Sequence, residues 1–116
     1  MLRVLSVSYD TSLLSSRALL LESMGYGVVS VSEFNKALQC CSQSARFDLF
    51  VLGHSIPHTD KEALVTAFRA HSAAPIIALN KPGEEATLAA DWQVDPDPMQ
   101  FVDAVSRAMS NRAASA

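Results

Sequence analysis

Five short apolar runs, each followed by a stretch of helical spacing, constrain this chain more than any other feature. Arg3 to Ser8 (RVLSVS), Gly27 to Ser32 (GVVSVS), Asp48 to Leu52, Ala74 to Leu79 (APIIAL) and Trp92 to Val94 read as strands. Each is short and rich in apolar or β-branched residues. Leu14, Ala18 and Leu21 then recur at helical spacing, and Leu13, Leu20 and Met24 broaden the stripe. Asp10 or Thr11 caps that helix and Gly25 stops it. Glu33 to Ser44 is a second helix, with Phe34, Ala37, Leu38 and Cys41 facing inward. Thr59 or Asp60 caps a third, which carries Leu64 and Phe68. Glu84 to Ala90 leaves room for only about two helical turns. Pro98 suits the first turn of a last helix, whose inner face is Phe101, Val102, Val105 and Met109.

Strands this apolar, joined by helices, imply a parallel sheet covered on both faces. Right-handed crossovers leave few arrangements. The favoured one at this size is a doubly wound α/β fold of flavodoxin-like (βα)5 type, strand order 2-1-3-4-5, with a shortened fourth helix. Residues 1–109 form one domain, and 110–116 are expected to fray as a tail. The functional crevice of such a sheet lies beyond the carboxyl ends of its strands. Those ends are Ser8 and Tyr9, Gly53, Asn80, and Asp95.

Composition narrows the function classes. The chain has 116 residues, 49% of them apolar, enough for a real core. Only 18% are charged, net charge is -3, and no basic cluster marks a nucleic-acid surface. No apolar run approaches the roughly 18 residues of a membrane span. The N-terminus enters a strand-like pattern at once, unlike a secretion signal. Cys40 and Cys41 are adjacent in a helical stretch, read as two half-buried small hydrophobes rather than a disulfide. A cytoplasmic location fits these features.

The run Phe47-Asp-Leu-Phe-Val-Leu-Gly-His-Ser-Ile-Pro57 resembles the third strand of response-regulator receiver domains, and the resemblance spans nearly the whole chain. In that family an aspartate ends this strand, accepts a phosphoryl group and is followed four residues later by proline. Gly53 holds the aspartate position and Pro57 the proline. The resemblance places Ser8 and Tyr9 where two acids hold magnesium. It puts Asn80 at the family's hydroxyl position and Asp95 at its lysine, with Pro96 retained. Asp48, Pro57, Pro75 and Pro96 are family-like, and Trp92 matches the aromatic that changes rotamer in many active receivers. Every chemical position is altered while the frame survives, which resembles the degenerate pseudo-receiver, or atypical response-regulator, subset.

The resemblance implies a phosphorylation-independent signalling module that works by protein-protein contact and is not an enzyme. It implies no cofactor, no metal and no nucleic acid, but a protein partner or a homodimer. Trp92 and Phe101 are the interface candidates, because a short fourth helix exposes the edge strand. The alternative is a small-ligand or metal-sensing domain using the strand-end crevice. Ser8, Tyr9, Asn80 and Asp95 are expected either to hydrogen-bond together and fill the old acid pocket, or to line a ligand site there. His54, His58 and Asp60 share one loop, but their spacing matches no metal motif, and they read as solvated.

Overall fold

A computed structural model describes residues 1–42, 46–87 and 90–115, with side chains through residue 110. The strands are β1 (Arg3–Val7), β2 (Gly27–Val31), β3 (Leu49–Leu52), β4 (Ile76–Leu79) and β5 (Trp92–Val94). The helices are α1 (Thr11–Ser23), α2 (Phe34–Ser42), α3 (His58–His71) and α4 (Pro98–Ser115). All strand pairs are parallel and the order is β2-β1-β3-β4-β5, as the alternation of runs predicts.

The strand sequences explain the two-faced core. Side chains alternate across a sheet, so β3 sends Phe50 and Leu52 to one side and Leu49 and Val51 to the other. Phe50 stacks on Phe68 of α3 at 4.3 Å between centroids, in a cluster shared with α2. Leu49 and Val51 meet Leu21 of α1 and Phe101 and Val105 of α4. Burying one such side chain contributes about 2 kcal/mol.

The helix boundaries have local causes. Asp10 caps α1 by accepting from the Leu13 N–H at 3.1 Å. Gly25, at φ 94°, then turns the chain into β2. Asp97 accepts from the Gln100 N–H at 3.0 Å and starts α4 beside Pro98. α3 differs from expectation: it begins at His58, after Pro57, with no side-chain cap. Thr59 and Asp60 are already inside the helix, and Asp60 is engaged elsewhere. α4 runs to Ser115, past the expected start of the tail. The end of the expected second helix, Gln43 and Ser44, lies outside the described residues.

The largest departure is between β4 and β5. The expected short helix over Glu84 to Ala90 is not formed at Glu84–Thr87 or Ala90; Leu88 and Ala89 lie outside the described residues. Gly83, at φ 84°, closes a turn that the Glu84 N–H ties to the Lys81 carbonyl at 3.0 Å. The Thr87 N–H is spent on the Gln93 Oε1 at 2.8 Å, which removes a donor a helix would use.

Candidate functional site

The parallel ladder brings the β1 and β3 ends together. The Gly53 N–H donates to the Val7 carbonyl at 2.8 Å, and the Ser8 N–H to the Val31 carbonyl at 3.2 Å. Ser55, on the loop after β3, staples this junction. Its hydroxyl accepts from the backbone N–H groups of Tyr9 and Asp10 at 3.1 and 3.2 Å and lies 3.1 Å from the Ser8 hydroxyl. Ser8 and Gly53 are both buried. They form the floor of the crevice.

A guanidinium lies on that floor. A Cβ built at Gly53 would stand 2.8 Å from Arg17 Nη1 and 3.0 Å from both Ser8 Cβ and Ser8 Oγ. Real Cβ atoms essentially never come that close, so Arg17 occupies space a side chain at this position would need. Arg17 is 7% exposed. Its Nη2 contacts His54 Nδ1 at 3.3 Å, and Nη1 has no partner among the described residues. Burial lowers the Arg17 pKa, partly countered by the charge of Asp10. His54 is also held below its usual range, by burial first and then by the charges of Arg17, Lys81 and Lys61.

A second cation fills the β4 end. Lys61, 1% exposed, donates to the Leu79 carbonyl at 2.9 Å and to Asn80 Oδ1 and Glu84 Oε2, both at 2.7 Å. Burial pushes the Glu84 carboxyl up, but the hydrogen bond and charge of Lys61 outweigh it and leave the group below the usual range. Asn80 Nδ2 reaches Gln93 Oε1 at 3.3 Å. The β4–β5 loop is thus fastened to α3 by Lys61–Glu84 and by the looser approach of His58 to Glu85 at 3.6 Å.

The expected common network of Ser8, Tyr9, Asn80 and Asp95 does not form. Ser8 turns to Ser55, Asn80 to Lys61, and the Tyr9 hydroxyl donates to Asp60 Oδ2 at 2.7 Å. Burial and the Asp60 carboxylate together push the Tyr9 pKa up to about 12. Asp95 is exposed. The strand ends splay these four positions, and nearer partners take Ser8, Tyr9 and Asn80. His54, His58 and Asp60 likewise face different neighbours, and among the described residues no three metal-binding side chains converge. Trp92 is half-buried against the core, while Phe101 is 2% exposed and belongs to the core itself. Phe101 therefore has almost no surface to offer a partner.

Sequence reasoning missed Arg17 and Lys61. The signal was present: Arg17 lies three after Leu14 and four before Leu21, and Lys61 three before Leu64 and seven before Phe68. Each is a cation on the inner stripe of a helix, so each must be buried and must reach the strand ends.

No protein-family model matches the sequence, and no curated protein matches it. Solved structures do share the fold. A CheY-like receiver domain from Methanospirillum hungatei aligns with TM-score 0.81 over 100% of this chain and 99% of its own, at 17% identity. Chemotaxis protein CheY4 of Vibrio cholerae gives 0.72, 93%, 98% and 20% in the same order. A chain from the complex of histidine kinase ThkA with response regulator TrrA gives 0.77, 93%, 98% and 21%. At these identities the likeness is one of fold.

Proposed function

We propose that this chain is a receiver-like signalling module of the degenerate kind, which acts through protein-protein contact without phosphoryl transfer. The observation that carries the reading is the Arg17 guanidinium lying against Gly53. Phosphoryl transfer to the end of β3 needs a carboxylate nucleophile and a metal to spread phosphate charge. Glycine supplies no nucleophile. Ser8 and Tyr9 are poor ligands for a hard divalent cation, and a fixed cation already sits beside them. No helix among the described residues is long and apolar enough to cross a membrane. A cytoplasmic location belongs to the same proposal.

The test is incubation with acetyl phosphate, or beryllofluoride, and magnesium. Neither is expected to label the protein or shift its spectra, and a magnesium-dependent acyl phosphate would sink the reading. The ThkA–TrrA complex shows a histidine kinase paired with a response regulator of this fold, which supports a protein partner for this chain. The proposed contact, with a partner or a second copy, uses the exposed side of Trp92 at the edge of β5. Trp92→Ala should weaken association, read by sedimentation, more than a melt on the same variant shows loss of fold. Unchanged association with a large fall in stability would remove this face.

A further inference from the structure

The sheet has two edges, and they are guarded differently. Open N–H and C=O groups on an edge invite another strand, and folds blunt such edges with short length, charge, proline or a bulge. β5 is blunted: it has three residues, set between the exposed Asp91 and Asp95. A twofold copy centred on Gln93 would put Asp91 against the copy's Asp95, and like charges directly opposite are unfavourable. β2 carries none of these devices. It has five residues, Gly-Val-Val-Ser-Val, without charge or proline, in unbroken register with β1. β1 is its only neighbouring strand among the described residues. The Gly27 N–H donates to the Leu2 carbonyl at 2.9 Å, and the Val31 carbonyl accepts from the Ser8 N–H at 3.2 Å, so both residues turn toward β1. Backbone groups alternate along a strand, so Val29 turns the same way, and Val28 and Ser30 turn outward. Beside this edge runs α1, whose only charged exposed residue is Glu22. Leu20 of α1 lines a groove with Pro98 and Val102 of α4. Leu19 lies about 100° round the helix from Leu20, on the flank away from α4 and toward β2. It is 70% exposed. Rises of about 1.5 Å per helical residue and about 3.3 Å per strand residue bring it level with Val29.

We propose that the β2 edge is a self-association surface, on which a second copy of this chain adds its own β2 in antiparallel register about Val29. Val28 then exchanges N–H and C=O bonds with Ser30 of the second copy, and Ser30 with its Val28, in two reciprocal pairs. Val29 faces Val29 of the copy across the twofold axis, a β-branched cross-strand pair. A short edge alone makes a weak contact, and Leu19 strengthens it. Level with the axis, it meets Leu19 of the copy above the junction and shields the new bonds from water. No charged residue of β2 enters the contact, so a copy meets no repulsion of the kind that guards β5. The Trp92 face lies at the opposite edge of the sheet, so this dimer leaves it free and does not depend on it.

The test is sedimentation equilibrium of the full chain over a concentration series, with residue-resolved amide exchange at both ends of that series. The expected result is a monomer–dimer equilibrium in which the Val28 and Ser30 amides exchange about tenfold more slowly at the high end. The Val29 and Val31 amides, already turned to β1, should change little. Ser30→Pro removes an outward N–H and spares the ladder to β1, so it should fold. It should raise the dissociation constant about tenfold or more, as the loss of two interfacial hydrogen bonds predicts. Leu19→Glu, on an exposed helix face, should weaken the dimer as well, by setting two carboxylates together at the axis. Trp92→Ala should leave the protection of Val28 and Ser30 as it is in the parent, whatever it does to other contacts. A parent that stays monomeric at millimolar concentration overturns the proposal. So does Val28 protection that survives Ser30→Pro, or protection that Trp92→Ala alone abolishes. Should Ser30→Pro fail to fold, Leu19→Glu decides, and unchanged association there overturns the surface. Protection that appears only with an added extended peptide, the chain alone being monomeric, assigns the edge to another protein and overturns the second copy.

Discussion

Lys61 and Arg17 are both cations carried to the strand ends on the inner face of a helix, and they finish in opposite states. Lys61 has three acceptors within 2.9 Å, one of them a carboxylate. Arg17 has one contact at 3.3 Å and a buried nitrogen with none. The difference lies in what each neighbouring strand end offers. β4 stops at Asn80, and the turn after it delivers Glu84, so an ammonium finds a carbonyl, an amide oxygen and a carboxylate together. β3 stops at Gly53, which offers no side-chain oxygen at all. One cation fastens a loop, and the other is buried with its hydrogen bonds largely unmade.

The largest effect is therefore expected at the closed end. Lys61→Met should cost about 2–3 kcal/mol, because it strips a buried lysine from three acceptors and frees the β4–β5 loop. Glu84, whose side chain is 29% exposed, recovers some hydration, which keeps the loss near the low end for a broken buried pair. Urea denaturation checks it, and a loss under about 0.5 kcal/mol would erase the contrast with Arg17. Acid should loosen the same tie. The Glu84 carboxyl is depressed in the folded state, so its contribution is present above the ordinary value of 4.5 and is lost as pH falls through the lower folded value.

The next test gives Arg17 the acceptor that β3 lacks. Gly53→Ala displaces the guanidinium and returns nothing. Gly53→Asp displaces it too, but its carboxylate can pair with Arg17. At neutral pH Gly53→Asp should be more stable than Gly53→Ala by about 1–2 kcal/mol, an advantage that disappears once the new carboxyl is protonated. Repulsion from Asp95 is the competing term. Asp95 is exposed, and Arg17 is the nearer charge. Equal melts for the two variants at neutral pH would show that Arg17 cannot use a carboxylate there. Without acids at Ser8 and Tyr9, neither variant should take up phosphate from acetyl phosphate.

Much of the scaffold was legible, because strand runs such as Val4-Leu5 and Leu49-Phe50-Val51-Leu52 admit no exposed placement. The strand ends were legible as positions: Ser8, Gly53 and Asn80 do sit at β1, β3 and β4. Their partners were not. Tyr9 chooses Asp60, fifty-one residues away, over Asp95, and only the path of the loop after β3 decides that. The β4–β5 segment misled for a related reason. Its local pattern allowed a helix, but the long-range ties of Glu84 to Lys61 and of Thr87 to Gln93 hold it otherwise. Polar residues on apolar stripes carried the information that was overlooked.

A smaller effect is expected from Arg17→Met. Removing a buried charge that lacks a carboxylate should change stability by less than about 1 kcal/mol, and in either direction, because lost packing offsets relieved desolvation. The same substitution type at Lys61 costs several times more if the contrast is real. Denaturation curves of the two variants side by side settle it. Equal losses would mean that Arg17 is satisfied after all, for instance through bound water.

The smallest effect is expected at the bond between Tyr9 and Asp60. Asp60 accepts from the Tyr9 hydroxyl at 2.7 Å, so it is already spent. Burial and that carboxylate hold the Tyr9 phenol at about 12, against an ordinary value of 10.0. Because the folded value is raised, the bond's contribution is whole below pH 10 and fades as pH climbs through 12. Asp60→Asn keeps an acceptor for the phenol but removes the charge, so Tyr9 should ionise at lower pH than in the parent, read from phenolate absorbance, with little change in stability near neutrality. If Tyr9 ionises alike in both proteins, Asp60 is not bound to it in solution.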